Sequence, residues 1–281
     1  MYFVFDLDAT LADMSSPYHF ISSLRLPFTK ILPVNLAKEL DAAYKLFVER
    51  ILQKEPSLGI LRPGILTIMK KLESLKKKGY LTTVIIYSNN SHLPSLEFVR
   101  DLINKHVDSK LISECIHWEH PIRNNEKELY PGMYPKTWNT LSRIIGQRVT
   151  KKDVFFFDDL KHPDLYSALK ENYYKVPPYK FHAPVAEIAD IFKSAIKDAH
   201  VSIPQFAVEL FDILNIKNYC KSLTYIITIL QDLSYYGNVK PRTYDHGIVM
   251  MNQAIECARI NSIKNAKRRG HTLKKRYYVQ K

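Results

Sequence analysis

The feature that most limits how this chain can fold is an apolar run at its start that ends in two acidic residues. Residues 2–6 are Tyr-Phe-Val-Phe-Asp, and Asp8 follows after one leucine. An apolar run without alternation predicts a strand buried on both faces, as in a parallel sheet. Side chains two residues apart at a strand end share a face, so Asp6 and Asp8 are expected to converge on one point.

Two carboxylates at such close range raise each other's pKa, and a divalent cation between them removes the conflict. The pair therefore predicts a Mg²⁺ and phosphate site at the carboxyl end of the first strand. An isolated Asp-x-Asp is also common in solvated turns and helix caps, so the rest of the chain has to decide between the two interpretations.

Composition sets the broad class of protein. A chain of 281 residues leaves room for a core domain and an accessory part, and 46% hydrophobic residues predict a packed globular protein. Three widely spaced cysteines without a Cys-x-x-Cys pair predict a reducing compartment, hence the cytoplasm or nucleus. We expect no signal peptide before Asp6, and no membrane span, because apolar stretches such as 223–230 are far shorter than the ~20 residues required.

Strands and helices are predicted to alternate over the first 182 residues. Strands are expected at 2–6, 81–87, 111–118, 154–157 and 173–176, and helices at 35–53, 64–78, 93–105 and 136–146. Residues 12–33 are expected to be irregular because Pro17, Pro27 and Pro33 interrupt them. This alternation predicts an α/β fold with a doubly wound parallel sheet.

The remaining residues predict helices alone, at 185–199, 204–216, 219–236 and 246–264. We therefore divide the chain into an α/β core, 1–182, that contains a small, partly helical, cap-like insertion at 11–61, a helical accessory region at 183–263, and a basic tail at 264–281.

Polar residues with catalytic chemistry stand in order at the predicted strand ends and helix starts. They are Asp6, Asp8 and Thr10, then Ser88, then Lys136, then Asp158 and Asp159. Open α/β sheets bind ligands at the carboxyl ends of their strands. Across residues 2–160 this order resembles the haloacid dehalogenase (HAD) superfamily of phosphohydrolases, which has a Rossmann-like core.

The resemblance implies a role for each residue. Asp6 resembles the nucleophile that forms an aspartyl-phosphate, and Asp8 the general acid and base. Mg²⁺ would be held by Asp6, the backbone carbonyl of Asp8, and Asp158, with Asp159 bound directly or through water. Ser88 and Lys136 would bind the phosphoryl group, and Thr10, assigned to the same phosphate-binding set, would steady the loop.

Alternatives accompany several of these residues. Ser88 could be a helix N-cap, Asp158-Asp159 a turn, and Lys127 or Lys110 could replace Lys136. His117 and His120 could form a zinc pair, although a loop that lines the cleft is the preferred interpretation. Arg123 could touch a second phosphate or a phosphopeptide.

The sequence is compatible with more than one class of substrate. Arg62-Pro63-Gly64 and the Asp-Leu-Asp-x-Thr-Leu form of the first motif resemble the CTD-phosphatase-like branch (also called NLI-interacting-factor-like), which dephosphorylates phosphoserine in proteins. Ala9 and Ser88 depart from that branch, which usually has Glu and Thr there. The resemblance thus implies a phosphorylated protein as substrate, with other phosphomonoesters as alternatives.

The tail suggests a further partner. Residues 264–281 contain no acid and carry Lys264, Lys267, Arg268, Arg269, Lys274, Lys275, Arg276 and Lys281. Such a segment suits nucleic acid or an import receptor, and Tyr277 and Tyr278 could stack on bases. It could equally be a solvated terminus. A polynucleotide end phosphatase and a non-catalytic scaffold that binds through this tail therefore remain alternative functions.

Overall fold

The structure is a computed structural model, and it describes residues 1–26, 30–129, 133–146, 149–216, 221–234 and 245–279, with side chains described up to residue 263 apart from that of Pro56. The strands are β1 (Tyr2–Phe5), β2 (Thr83–Tyr87), β3 (Ile112–Ile116), β4 (Val154–Asp158) and β5 (Tyr173–Lys175). The α-helices are α1 (Tyr18–Leu24), α2 (Val34–Leu58), α3 (Ile65–Lys77), α4 (Leu93–Val107), α5 (Asn124–Leu129), α6 (Trp138–Ile145), α7 (Pro163–Leu169), α8 (Val185–Asp198), α9 (Ile203–Ile213), α10 (Leu223–Leu233) and α11 (His246–Val279).

The five strands form one parallel sheet in the order β3-β2-β1-β4-β5, with β1 at its centre. Helices cover both faces. One face carries the larger buried cluster, which includes residues of α1–α4 and α8–α11, and the other packs on α6 and α7. The predicted α/β fold with a doubly wound parallel sheet is confirmed, because near-continuous apolar strands require cover on both sides.

Aromatic rings line one face of the two central strands. Phe3 and Phe5 of β1 pair in register with Phe155 and Phe157 of β4. The paired rings lie 4.9 and 4.7 Å apart between centroids and are nearly parallel, and Tyr174 of β5 stacks on Phe157 at 5.0 Å. Cross-strand aromatic pairs of this kind stabilise a sheet in one register. The stack therefore lies in β1, which Asp6 directly follows, and in β4, which ends at Asp158.

Two predictions about helices are wrong. Residues 12–33 contain α1, whose Phe20, Ile21 and Leu24 are buried, because Pro17 stands before the helix rather than inside it. The helix predicted to end near residue 53 continues past Pro56 to Leu58. It ends at Gly59, whose φ of 65° is a left-handed conformation that glycine adopts readily.

Other boundaries differ by a few residues. Lys136 precedes its helix, which begins at Trp138 with Thr137 as the N-cap. The short helices α5 and α7 were not predicted. Pro27 and the ends of the helix predicted at 219–236 lie outside the described residues. The predicted helix at 246–264 runs further, to Val279.

The C-terminal helices share a buried cluster with the sheet. Phe192 of α8, for example, contacts Phe20 of α1 and Phe47 of α2 edge to face, at 5.4 and 6.4 Å between centroids. The packing is therefore continuous across residue 182, where the alternation of strands and helices ends. The division into domains remains a prediction. Among the described helices, none has both the length and the apolar character that a bilayer span requires.

Candidate active site

The carboxyl ends of β1, β2 and β4 open into one cavity of about 630 Å³. It is lined by Asp6, Asp8, Ala9, Ser88, Asn89, Asn90, Ser91, Trp118, Glu119, Tyr134, Lys136, Asp158, Asp159, Leu160 and His162. Six of the seven residues singled out in the sequence lie in this wall, and Thr10 lies behind it. Parallel strands with β1 in the centre explain the convergence, because neighbouring strand ends meet at one edge.

Lys136 stands between two carboxylates at the base of the cavity. Its Nζ donates to Asp6 Oδ1 and to Asp158 Oδ2, both at 2.6 Å, and its side chain is 1% exposed. Burial alone would lower the pKa of this ammonium, but Asp158 and Asp6 outweigh it and the pKa is raised. Of the competing lysines, Lys127 pairs with Glu119 and Lys110 is exposed, so Lys136 supplies the buried positive charge.

Three carboxylates surround that charge closely enough to share a metal ion. One oxygen from each of Asp6, Asp158 and Asp159 lies within 4.8 Å of the others, the one such group of acids, histidines or cysteines among the described residues. Burial, then Asp6 and Asp158, raises the pKa of Asp159 to about 6. Burial also raises the pKa of Asp6, against Lys136, whereas Lys136 and His162 lower that of Asp158 in spite of its burial.

The residues present fit a magnesium ion. Carboxylate oxygens are the ligands that this hard cation prefers, with the remaining positions left to water and phosphate. One ammonium cannot balance three carboxylates, and burial, together with the repulsion from the neighbouring acids, raises the pKa values of Asp6 and Asp159. A divalent cation would remove that repulsion. The Asp158-Asp159 pair is thus part of an acidic cluster rather than an isolated turn.

Asp8 lies in a tight loop that follows β1. Its Oδ2 accepts a hydrogen bond from Asn90 Nδ2 at 3.0 Å. Burial and the neighbouring Asp6 raise the pKa of Asp8 to about 6, so the group can hold or release a proton near neutral pH. This behaviour is what a general acid and base requires.

Ser88 and Thr10 occupy different places. Ser88 is buried in the cavity wall and lies four residues before His92, the N-cap of α4, so the N-cap interpretation is wrong. Thr10 is fully buried, and its Oγ1 accepts a hydrogen bond from the Asp159 backbone N–H at 3.0 Å. Because this hydroxyl does not line the cavity, the structure favours the loop-steadying role of Thr10 over phosphate binding.

A buried network that the sequence did not reveal holds Lys136 and Ser88 in place. Arg123 is fully buried and donates to Glu126 Oε2, to the Ser88 carbonyl and to the Pro135 carbonyl, at 2.7, 2.7 and 2.8 Å. The Glu126 carboxylate accepts from the backbone N–H and the hydroxyl of Thr137, and from the Tyr87 hydroxyl, each at 2.8 Å. The expectation that Arg123 contacts substrate is therefore wrong, since its guanidinium is used inside the protein.

Histidines near the site differ from the sequence interpretation. His162 Nε2 lies 3.3 Å from Asp158 Oδ2, a contact whose sequence signal is a spacing of four residues. His117 and His120 lie edge to face, 6.0 Å apart between ring centroids, but belong to no metal-ligating group among the described residues. The zinc interpretation thus has no further ligands in this part of the chain.

A second cavity of about 600 Å³ adjoins the first at Asp8, Ala9 and Asn90. It is lined further by Ala12, Asp13, Met14, Ser15, Tyr18, His19, Tyr179, Lys180 and His182. Several of these residues come from the start of the predicted insertion, whereas the buried residues of α2 belong to the core. Asp8 therefore lines both cavities, the one that holds the acidic cluster and the second one beside it.

The basic tail belongs to the last helix. Its backbone continues α11 to Val279, while the side chains from Lys264 onward, including Tyr277 and Tyr278, lie outside the described part. The predicted contact of this tail with nucleic acid or an import receptor stays a prediction.

Comparison with known proteins adds one structural similarity. No protein-family model matches the chain, and no curated protein matches it. Among solved structures it is similar to a HAD-superfamily hydrolase from Ehrlichia chaffeensis, known from a crystal structure at 1.9 Å resolution, with 17% sequence identity and a TM-score of 0.30. The similarity covers 69% of this chain and 97% of that one. A similarity this weak does not indicate a function, so the function is inferred from the geometry of the site.

Proposed function

We propose that the protein is a Mg²⁺-dependent phosphomonoesterase of the haloacid dehalogenase type that works through an aspartyl-phosphate. The observation that supports this most directly is the Lys136 ammonium bound to both Asp6 and Asp158 at 2.6 Å, with Asp159 close enough to share a cation. This cluster stands at the bottom of an open cavity beside Asp8. A nucleophile, a proton donor and positive charge are thereby available around one point.

The reaction proceeds in two displacements. The Asp6 carboxylate attacks phosphorus, and the bond to the leaving oxygen breaks while Asp8 gives that oxygen its proton. Asp8 then removes a proton from a water molecule, whose oxygen attacks phosphorus and releases inorganic phosphate and the Asp6 carboxylate. The same group acts as acid and then base, for which a pKa of about 6 is well suited.

Charge balance is the task of the surrounding groups. Lys136 and the Ser88 hydroxyl bind and orient the phosphoryl oxygens. Asp6, Asp158 and Asp159 would hold Mg²⁺, which when bound supplies positive charge to the phosphoryl group and to the nucleophile. The buried base of the cavity strengthens each of these interactions, because the effective dielectric constant there is low.

We propose a phosphorylated protein, specifically phosphoserine, as the substrate. Among the described residues that line the first cavity, Lys136 is the only lysine or arginine, while Glu119 and four aspartates add negative charge. In a polyanion, the backbone phosphates next to the terminal phosphate would meet this repulsion, whereas a single phosphate on a peptide has no such neighbours. The second cavity, on the far side of Asp8, leaves room for the residues next to the phosphoserine.

The test is a phosphoester panel with and without Mg²⁺, comparing a phosphoserine peptide with a 3′-phosphorylated oligonucleotide. Asp6→Asn should abolish turnover without loss of the fold, and Asp41→Asn, an exposed acid on α2, serves as the control. Parental hydrolysis of an aryl phosphate by Asp6→Asn would refute the mechanism. Preference for the oligonucleotide would favour an end phosphatase, and salt-sensitive nucleic-acid binding without any hydrolysis would favour a scaffold.

A location in the cytoplasm or nucleus is part of the same proposal, since a phosphorylated protein and Mg²⁺ are both available there. The three widely spaced cysteines without a Cys-x-x-Cys pair, which favour a reducing compartment, support this location.

A further inference from the structure

Arg62 makes four hydrogen bonds from a position that is 1% exposed. Its Nε donates to the Thr10 carbonyl at 2.7 Å, and its Nη2 donates to the Ala9 carbonyl at 2.6 Å and to the Pro177 carbonyl at 2.7 Å. Its Nη1 donates to Asp245 Oδ1 at 2.7 Å. Arg62 does not line the first cavity, so its charge serves the loop behind the site and not the phosphate.

The loop that Arg62 holds is the one that carries Asp8. Ala9 has a φ of 55°, a left-handed conformation that is unfavourable for a non-glycine residue. Such a conformation persists only where the surroundings hold it. The Ala9 carbonyl accepts from Arg62 and also from the Tyr179 N–H at 2.7 Å, so this peptide is fixed from two sides.

Asp245 connects this arrangement to the last helix. It stands immediately before α11, where its Oδ1 also accepts from the Ile248 N–H at 3.2 Å and caps the helix. A Cβ on Gly247 would lie 2.3 Å from Arg62 Nη1, so a glycine there leaves space for the guanidinium. Among the described residues, α11 contributes none to either cavity, yet its first turn touches the group that fixes the catalytic loop.

We propose that Arg62 and Asp245 are positioning residues, and that the start of α11 is thereby a working part of the active site. Asp245 fixes the Arg62 guanidinium, which fixes the carbonyls of Ala9 and Thr10, and these set the place of the Asp8 carboxyl relative to the phosphoryl group. The inference rests on the proposed function for the role of Asp8, whereas the link between α11 and the loop stands on geometry alone.

Asp245→Asn is the informative variant, because asparagine caps a helix as well as aspartate does. It keeps the cap and removes the charge that holds Arg62. We expect kcat for an aryl phosphate to fall about 10-fold, since a misplaced catalytic group loses rate steeply, with KM changed less than about 2-fold. Glu256→Gln, which breaks an exposed ion pair with Arg259 on the same helix, is the matched control and should leave kcat unchanged.

Gly247→Ala tests the same link without changing any charge. The added methyl group should displace the guanidinium and lower kcat to a similar extent as Asp245→Asn. Hydrogen exchange of the amides in residues 7–12 gives a second readout, because several of these N–H groups bond within the loop. Exchange there should become faster in both variants and remain parental in Glu256→Gln.

Two results would overturn the proposal. One is parental kcat and parental loop exchange in Asp245→Asn. The other is a decrease of kcat in Asp245→Asn together with a lower melting temperature and faster exchange throughout the chain rather than in residues 7–12, which would mean a general structural role. If the parental protein hydrolyses no phosphoester, the proposed function fails, and the exchange comparison still decides whether α11 holds the loop.

Discussion

The buried carboxyl group of Glu55 leads to a prediction about how the stability of the protein depends on pH, with a definite sign and an approximate size. This carboxyl group lies near the end of α2, is 3% exposed, and accepts a hydrogen bond from the Leu61 N–H, next to Arg62. Burial raises its pKa from 4.5 to about 8, although the N–H groups of Leu61 and Ile60 oppose the shift. A buried acid with a raised pKa stays protonated in the folded state after the unfolded chain has ionised.

The sign follows from proton binding. Below pH 4.5 both states are protonated and Glu55 has no effect on the pH dependence. As the pH rises from 4.5 to about 8, the folded state holds the extra proton and the free energy of unfolding falls, at about 1.4 kcal/mol per pH unit. At pH 7, about 2.5 units above the unfolded pKa, ionisation of Glu55 in the unfolded chain therefore lowers the free energy of unfolding by about 3 kcal/mol.

Glu55→Gln should remove that cost, because the amide has nearly the shape of the protonated acid and does not ionise. Urea unfolding at pH 5, 6, 7 and 8 measures it. We expect the variant to exceed the parent in stability by less than about 1 kcal/mol at pH 5 and by about 3 kcal/mol at pH 7.

Glu49→Gln, on the same helix and paired with Lys105 at the surface, is the control and should follow the parent at every pH. Parallel stability profiles for the parent and Glu55→Gln between pH 5 and 8 would show that Glu55 is not held protonated by burial, and the reasoning would be refuted.

Three further predictions concern the site. Lys136→Met leaves Asp6 and Asp158 side by side without the ammonium, so kcat should fall at least about 100-fold. The free energy of unfolding, measured in urea, should fall by about 3 kcal/mol, and Mg²⁺ should restore part of it. Unchanged stability would contradict the ion pairs. Glu126→Ala leaves Arg123 buried without its carboxylate and should cost about 3 kcal/mol in the same assay, whereas Glu126→Gln should cost less. Millimolar Mg²⁺ should raise the melting temperature of the parent but not of Asp158→Asn, measured by calorimetry; an equal rise in both would exclude Asp158 as a ligand.

The strand ends were predictable because their signal is local. Apolar runs such as 2–5 and 154–157 leave few alternatives to a buried strand, and a parallel sheet brings the residues that follow them to one edge. The positions of Asp6 and Asp158 follow from that rule. Lys136 followed from its order in the chain, although the exact start of α6, two residues later, did not.

The supporting groups were not predictable in the same way. Arg123 and Glu126 are charged residues that a sequence pattern places at the surface, and only the fold shows that they satisfy each other inside the protein. The contact between Arg62 and Asp245 joins residues that are 183 positions apart. The error at α1 has a different origin, since Pro17 bounds a helix as readily as it breaks one.

The aromatic stack on the central strands has a consequence for how faithfully the catalytic apparatus is assembled. Phe3, Phe5, Phe155 and Phe157 fit only when β1 and β4 are aligned as they are, because sliding either strand by one position would turn its rings to the opposite face. That slip would also carry Asp6 or Asp158 away from the shared ammonium. The aromatic stack takes no part in the chemistry, but by fixing the register of the two strands it keeps two acids that are far apart in the sequence within reach of the same lysine.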